Sequence, residues 1–177
     1  MQLTSQQLLP VSQQQAWEAL NDTTMLQAAI PGCESLEPSG DHEYAVALMA
    51  AVGPVKAKFK GKLRLSDLQP PTSYTIQFEG QGGPAGFGKG SASVRLEPTG
   101  PNQTTLHYSA DAQVGGKIAQ IGSRLIDMAA QKMAGEFFES FTRALSERYG
   151  VAAPPPAAPA GVLAKFWAWL RRLFGGS

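Results

Sequence analysis

The chain has 177 residues, 43% of them hydrophobic and 16% charged, with a formal net charge of +1. This length allows one compact domain with a sizeable core plus an appendage, and the single cysteine, Cys33, excludes an internal disulfide and any multi-cysteine metal knuckle. Residues 1–150 carry 12 Lys and Arg against 14 Asp and Glu, whereas the remainder carries only the cations Lys165, Arg171 and Arg172, so a slightly acidic body precedes a basic tail.

The first residues, MQLTSQQLLPVSQQQ, contain no basic region and no long apolar run, so neither a secretory leader nor a membrane span is expected there. A lone thiol fits a reducing compartment, and a cytoplasmic location is the expectation. Met1 to Leu9 reads as a strand. Ser12, followed three residues later by Gln15, forms a capping-box pattern ahead of a short helix with Ala16, Trp17 and Leu20 on one face. Asp22 is placed to cap a second short helix, from about Thr23 to Ala29, that stops at Pro31-Gly32.

From Cys33 to Gly115 the pattern changes to period two, with turn residues at Ser39–Asp41, Gly53-Pro54, Pro70-Pro71 and Thr99–Asn102. Tyr44, Val46, Leu48 and Ala50 alternate with smaller or exposed positions, as do Tyr74, Ile76 and Phe78, then Val94 and Leu96, then Leu106, Tyr108, Ala110 and Val114. These are antiparallel strands with one apolar face. The cleanest alternation, Val55 to Leu65, puts Lys56, Lys58, Lys60, Lys62 and Arg64 on the other face. Such a row suits an acidic lipid, nucleic acid or acidic protein, but equally the solvated face of a half-buried strand. The net acidic body and the lack of interleaved aromatics argue against nucleic acid.

The segment Gly80 to Gly90, GQGGPAGFGKG, matches most of a phosphate-binding loop from Gly83 to Lys89. Gly90 stands where a magnesium-binding Ser or Thr belongs, and a strand-like SASVRL follows instead of a helix, so nucleotide is not expected. A mobile hairpin loop that opens and closes over a cavity mouth, with Phe87 as its large apolar side chain, fits better. Lys117 to Tyr149 then reads as one helix about 50 Å long, with Gly122 and Gly135 inside it as points of close approach. Ile118, Ile121, Leu125, Met128, Met133, Phe137, Phe141 and Leu145 form its apolar stripe.

Strand, two short helices, a run of antiparallel strands and a long C-terminal helix make an α+β helix-grip fold over residues 1–149. The sheet wraps the helix and either leaves an apolar cavity or packs solid. The candidate cavity wall is Leu48, Phe59, Leu63, Phe78, Phe87, Leu96, Tyr108, Ile121, Leu125, Met128 and Phe137. His42 lies near a turn and His107 alternates with inward residues, so both are expected to face solvent. With no HExxH, no Gly-x-Ser-x-Gly and no metal spacing, binding is favoured over catalysis, and neither a catalytic residue nor a metal is assigned. Cys33 reads as a small buried side chain at a helix-strand junction.

Residues 150–161, GVAAPPPAAPAG, form a Pro/Ala-rich linker that spans roughly 37 Å when extended at about 3.1 Å per residue. Beyond it, residues 162–174 have the pattern of an amphipathic helix, followed by a tail, 175–177. Val162, Leu163, Phe166, Trp167, Trp169, Leu170, Leu173 and Phe174 fall on one face, and Lys165, Arg171 and Arg172 on the other. At roughly 20 Å it is too short to cross a hydrocarbon core of about 30 Å. Its composition suits a helix lying in the interface of an anionic leaflet. A groove on a partner protein or on the body would take the same spacing.

The strings LNDTTMLQAAIPGCESLE, VGPVKAKFKGKLRLSDLQPPTSY, FEGQGGPAGFGKGSASVRL and DAQVGGKIAQIGSRLIDMAAQKMAGEFFESF closely resemble the CoxG family, named for the G subunit of carbon monoxide dehydrogenase, within the START-like, Bet v 1-like helix-grip superfamily. The likeness runs from about Met1 to Tyr149, and Ile-Pro-Gly-Cys with Gly-Pro-Val-Lys-Ala makes it specific. Thr23 stands where relatives often have Pro after the Asp, a mild departure because Thr also fits a first helical position. The resemblance implies support of a molybdenum hydroxylase of the carbon monoxide dehydrogenase type at the inner leaflet of the cytoplasmic membrane. It also implies handling of a quinone, menaquinone or ubiquinone, without catalysis. The rivals are a recruitment scaffold with no ligand and a START-like enzyme acting on a hydrophobic substrate.

Overall fold

A computed structural model describes residues 1–150. The elements in order are β1 (Gln2–Leu9), α1 (Gln13–Leu20), α2 (Thr23–Ala29), β2 (Cys33–Gly40), β3 (Glu43–Val52), β4 (Val55–Gln69), β5 (Ser73–Gln81), β6 (Phe87–Gly100), β7 (Gln103–Gly115) and α3 (Ser123–Tyr149). Short 3-10 turns at Gly83–Ala85 and Ile118–Ile121 precede β6 and α3. One antiparallel sheet of seven strands runs β1-β7-β6-β5-β4-β3-β2. This is the helix-grip arrangement that the element order predicts.

Local chemistry starts both short helices. Ser12 Oγ accepts from Gln15 N and Gln15 Oε1 accepts from Ser12 N, so the capping box is complete. Asp22 Oδ1 accepts from Thr24 N at 2.9 Å and Met25 N at 3.4 Å. These bonds satisfy N–H groups that a helix start leaves without partners.

Two expectations change. The helix predicted from Lys117 is interrupted: Gly122, at φ +97° and ψ 147°, separates the 3-10 turn from α3, in a conformation that a side-chain-bearing residue rarely adopts. The glycine-rich segment is also mostly strand. Gly80 belongs to β5, Gly88 and Gly90 belong to β6, and only a 3-10 turn joins them. The hairpin connection is confined to residues 82–86, and the glycines in and beside it allow close packing. An added Cβ at Gly90 would collide with Asp111 O, and one at Gly82 would meet the Phe59 ring at 2.6 Å. Gly135, by contrast, has open space around it, so no close approach explains it.

The core lies between the β1-β7-β6-β5 part of the sheet, the two short helices and the last turns of α3. Leu9, Val11, Leu96, Phe141 and Leu145 are all at most 1% exposed. A buried Thr104 hydroxyl donates to Val11 O at 2.8 Å, tying β7 to the β1-α1 connection. The first half of α3 is different: Leu125 is 41% and Met128 57% exposed. The sheet therefore holds the helix by its C-terminal half, and the N-terminal half stands partly clear.

Candidate functional site

Where α3 moves away from the core, the inner face of the sheet encloses a cavity of about 270 Å³. Leu20, Leu26 and Ile30 close it from the short helices, Leu36, Tyr44, Leu63, Leu65, Tyr74, Ile76 and Phe78 from β2 to β5, Ala92, Val94, Leu106 and Tyr108 from β6 and β7, and Phe137 and Phe138 from α3. Alternation explains the sheet part, because these positions share the face opposite the lysine row. Aromatic contacts stiffen the wall: Tyr108 stacks on Phe138 with centroids 5.3 Å apart, and Trp17 meets Tyr74 edge-on at 5.4 Å.

The lining residues include three tyrosines, Tyr44, Tyr74 and Tyr108, and no Asp, Glu, His, Cys, Lys or Arg. Burial, with no hydrogen bond to offset it, pushes the Tyr74 hydroxyl well above the ordinary tyrosine range. It remains a neutral donor at all physiological pH values. Tyr108 is raised chiefly by burial as well, partly offset by a hydrogen bond with Ser5. The shape and chemistry of this lining suit an apolar molecule.

A second, more open groove of about 530 Å³ lies along the first half of α3. Pro31, Gly32, Met49, Ala50, Ala51 and Gly53 form one side, and Leu125, Met128, Ala129, Lys132, Met133 and Glu136 the other. Leu125, Ala129 and Met133 recur every four residues, and Phe137 in the cavity wall continues the same line. One helix face therefore connects groove and cavity over about 18 Å at 1.5 Å per residue.

Of the eleven residues expected in the cavity wall, Leu63, Phe78, Tyr108 and Phe137 line it. Leu125 and Met128 line the open groove instead, and Ile121 lies with Leu125 against the β3-β4 tip at Gly53. Leu48 faces inward further along β3, paired with Phe59, whose ring covers Gly82. Leu96 is 1% exposed in the packed core, because α1 and the end of α3 cover that part of the sheet. Phe87 is 46% exposed beside Gly115, on the outer face with Lys89, because strand alternation starts there. The other twelve liners, Tyr74, Leu36, Leu26, Ile30 and Phe138 among them, are outside the expected wall. Tyr74 stood in the alternating pattern, whereas nothing local marked which part of that face α3 leaves uncovered.

The remaining candidates for chemistry lie elsewhere. His107 Nε2 is 2.8 Å from Glu97 Oε2 on the outer face, and His42 sits in a turn at φ +56°. Cys33 is half-buried, its Sγ donates to Ser35 O at 3.4 Å, and burial raises the thiol, which makes it a poor nucleophile. No metal-holding group of three His, Cys, Asp or Glu occurs among the described residues. None of their helices is long and apolar enough to cross a membrane. The expected linker and amphipathic segment, 150–161 and 162–174, fall outside the described residues apart from Gly150.

A family model for CoxG, described as the G subunit of carbon monoxide dehydrogenase, matches residues 8–146. A crystal structure of a conserved protein from Geobacillus kaustophilus is 30% identical over 83% of this chain and 96% of that one, with a TM-score of 0.79. A START superfamily protein from Mycobacterium smegmatis, 10% identical over 82% and 97% of the two chains, has a TM-score of 0.65. The Zhui aromatase/cyclase from Streptomyces sp. R1128, 13% identical over 84% and 95%, scores 0.63. The last two likenesses show the fold alone. Among curated proteins no significant match was found.

Proposed function

This chain belongs to the CoxG family of carbon monoxide dehydrogenase, and from that premise we propose that it is a non-catalytic accessory protein that binds a quinone in its apolar cavity. In this reading it connects a molybdenum hydroxylase of the carbon monoxide dehydrogenase type to the quinone pool, at the inner face of the cytoplasmic membrane. The observation that carries it is the cavity lining: apolar walls that include Tyr74, whose buried hydroxyl makes no hydrogen bond among the described residues. A quinone ring is flat and apolar, with carbonyl oxygens that accept from such a donor. Its isoprenoid tail fits the apolar track from Phe137 to Leu125, which leads out through the groove.

Residues 162–174 supply the membrane contact in this reading, through Leu163, Phe166, Trp167, Trp169, Leu170, Leu173 and Phe174 with Arg171 and Arg172. A single short segment of this kind binds reversibly, as a carrier requires. The test is lipid extraction of the purified full chain followed by mass analysis, with added menadione as a second arm. A co-purified quinone, or saturable menadione binding, is expected. A chain that arrives empty and ignores menadione overturns the quinone reading and leaves the ligand-free scaffold. Turnover of a hydrophobic substrate would favour the enzyme reading.

A further inference from the structure

Strand register places several unusual features at one end of the body. Lys60 pairs with Gln81 at the end of β5, while β4 continues outward to Val55, so the β3-β4 hairpin projects beyond its neighbours. The hairpin tip rests against Ile121 and Leu125. Among the described residues, four of the six exposed large hydrophobics, Met49, Phe87, Leu125 and Met128, are at this end.

Charge is segregated the same way. Lys56, Lys58 and Lys60 line the outer face of the hairpin, Lys89 stands near the start of β6, and Lys117 follows β7. Glu34 holds Lys58 at 2.7 Å, but Lys56, Lys60 and Lys117 are exposed and make no ion pair among the described residues. The nearby acids are Glu34, Asp127 and Glu136, the last 4.0 Å from Lys132, with Glu79 and Asp111 further along the outer face. At the opposite end lie Glu37, Asp41, Glu43, Asp67 and Glu97, with Arg64 3.1 Å from Glu43 and Arg95 4.0 Å from Glu97. The excess of positive charge therefore lies toward the hairpin end of the strands.

We propose that the hairpin end of the body is itself a docking surface for an anionic lipid bilayer. Met49, Leu125 and Met128 enter the headgroup region, and Lys56, Lys60 and Lys117 meet lipid phosphates. Exposed unbranched and branched aliphatic side chains beside long, flexible lysines suit a fluid headgroup layer, in which the lysine stems lie along apolar surface and the ammonium groups stay wet. Protein interfaces, by contrast, are depleted in lysine. Docking in this pose turns the open groove toward the membrane, and it depends neither on quinone binding nor on the C-terminal residues.

The experiment uses the full chain with Cys33→Ser and a nitrobenzoxadiazole label on Met128→Cys, compared with the same label on Glu37→Cys at the opposite end. Phosphatidylglycerol vesicles should shift the emission to the blue at 128 and leave 37 unchanged; phosphatidylcholine vesicles should do neither. Lys56→Gln with Lys60→Gln should weaken the vesicle titration by roughly 25-fold at low salt, about fivefold for each lysine. An unshifted label at 128 on a chain that still pellets with vesicles overturns the proposal, since other residues would then hold the chain. An equal shift with phosphatidylcholine also overturns it. So does a shift produced by polyglutamate but not by vesicles, which would reassign this end to an acidic protein. None of these outcomes bears on whether a quinone is bound.

Discussion

Arg148 Nη1 lies 2.8 Å from Asp22 Oδ2, joining the last turn of α3 to the residue that caps α2. One carboxylate thereby starts one helix and holds the end of another, 126 residues away in sequence. The contact fixes the C-terminal half of α3 over the core, the anchorage that leaves its first half free to border the groove.

Asp22 predicts an acid sensitivity. Desolvation would raise its carboxyl, but the Arg148 hydrogen bond and the backbone N–H groups of Met25 and Thr24 outweigh it and hold the pKa below the ordinary 3.8. A folded pKa below the unfolded one stabilises fully above the unfolded value, and the contribution is lost as pH falls through the folded value. Asp22→Ala should lower stability by about 1 kcal/mol at pH 7, the usual worth of a helix cap. It should also flatten the acid limb of the stability profile, read from urea midpoints between pH 7 and pH 2.

Tyr74→Phe removes a hydroxyl that has no partner in the protein, so thermal stability should change little. If that hydroxyl meets a quinone carbonyl, menadione affinity should fall about 3- to 10-fold, the worth of one hydrogen bond. Quenching of Trp17, which packs edge-on against Tyr74, reads the binding, in a chain with Trp167 and Trp169 replaced by Phe.

Phe141→Ala and Phe137→Ala separate packing from cavity. Phe141 is 0% exposed and stacks on Phe137 at 5.5 Å. Its truncation should cost about 3–5 kcal/mol, read from the denaturation midpoint. Phe137 already borders empty space, so its truncation should cost less and shift preference toward bulkier quinones in competition binding.

Two glycines should respond oppositely to alanine. At Gly61 an added Cβ would collide with the backbone oxygen of Glu79, so β4 and β5 must separate; soluble yield should collapse. At Gly135, inside α3, nothing lies within 4 Å, and Gly135→Ala should raise stability by about 0.5–1 kcal/mol. Thermal melts of the two variants beside the parent check both.

Much of the fold is legible without coordinates. Ser12 with Gln15, and Asp22 ahead of Thr23, mark helix starts because capping uses side chains next to the backbone they satisfy. Alternation from Val55 to Leu65 assigns the lysine row to the outer face because successive strand residues point to opposite sides. The glycine segment misleads for the opposite reason. Gly90 is needed for the approach of Asp111, 21 residues on, so composition suggests a loop at a position where packing makes a strand.

Alternation also selects the inner face but not the uncovered part of it. Leu96 and Leu63 carry the same local signal, yet one is sealed under α1 and α3 while the other lines the cavity. The order of elements, their caps and the apolar side of each strand can be read from the chain alone, because all of these depend on neighbours within a few residues. Where α3 leaves the sheet, and therefore which residues enclose empty space, emerges only from the packing of distant segments. The gathering of lysines and exposed hydrophobics at one end is of the same kind, since it follows from strand register and from the lean of a helix anchored at its far end.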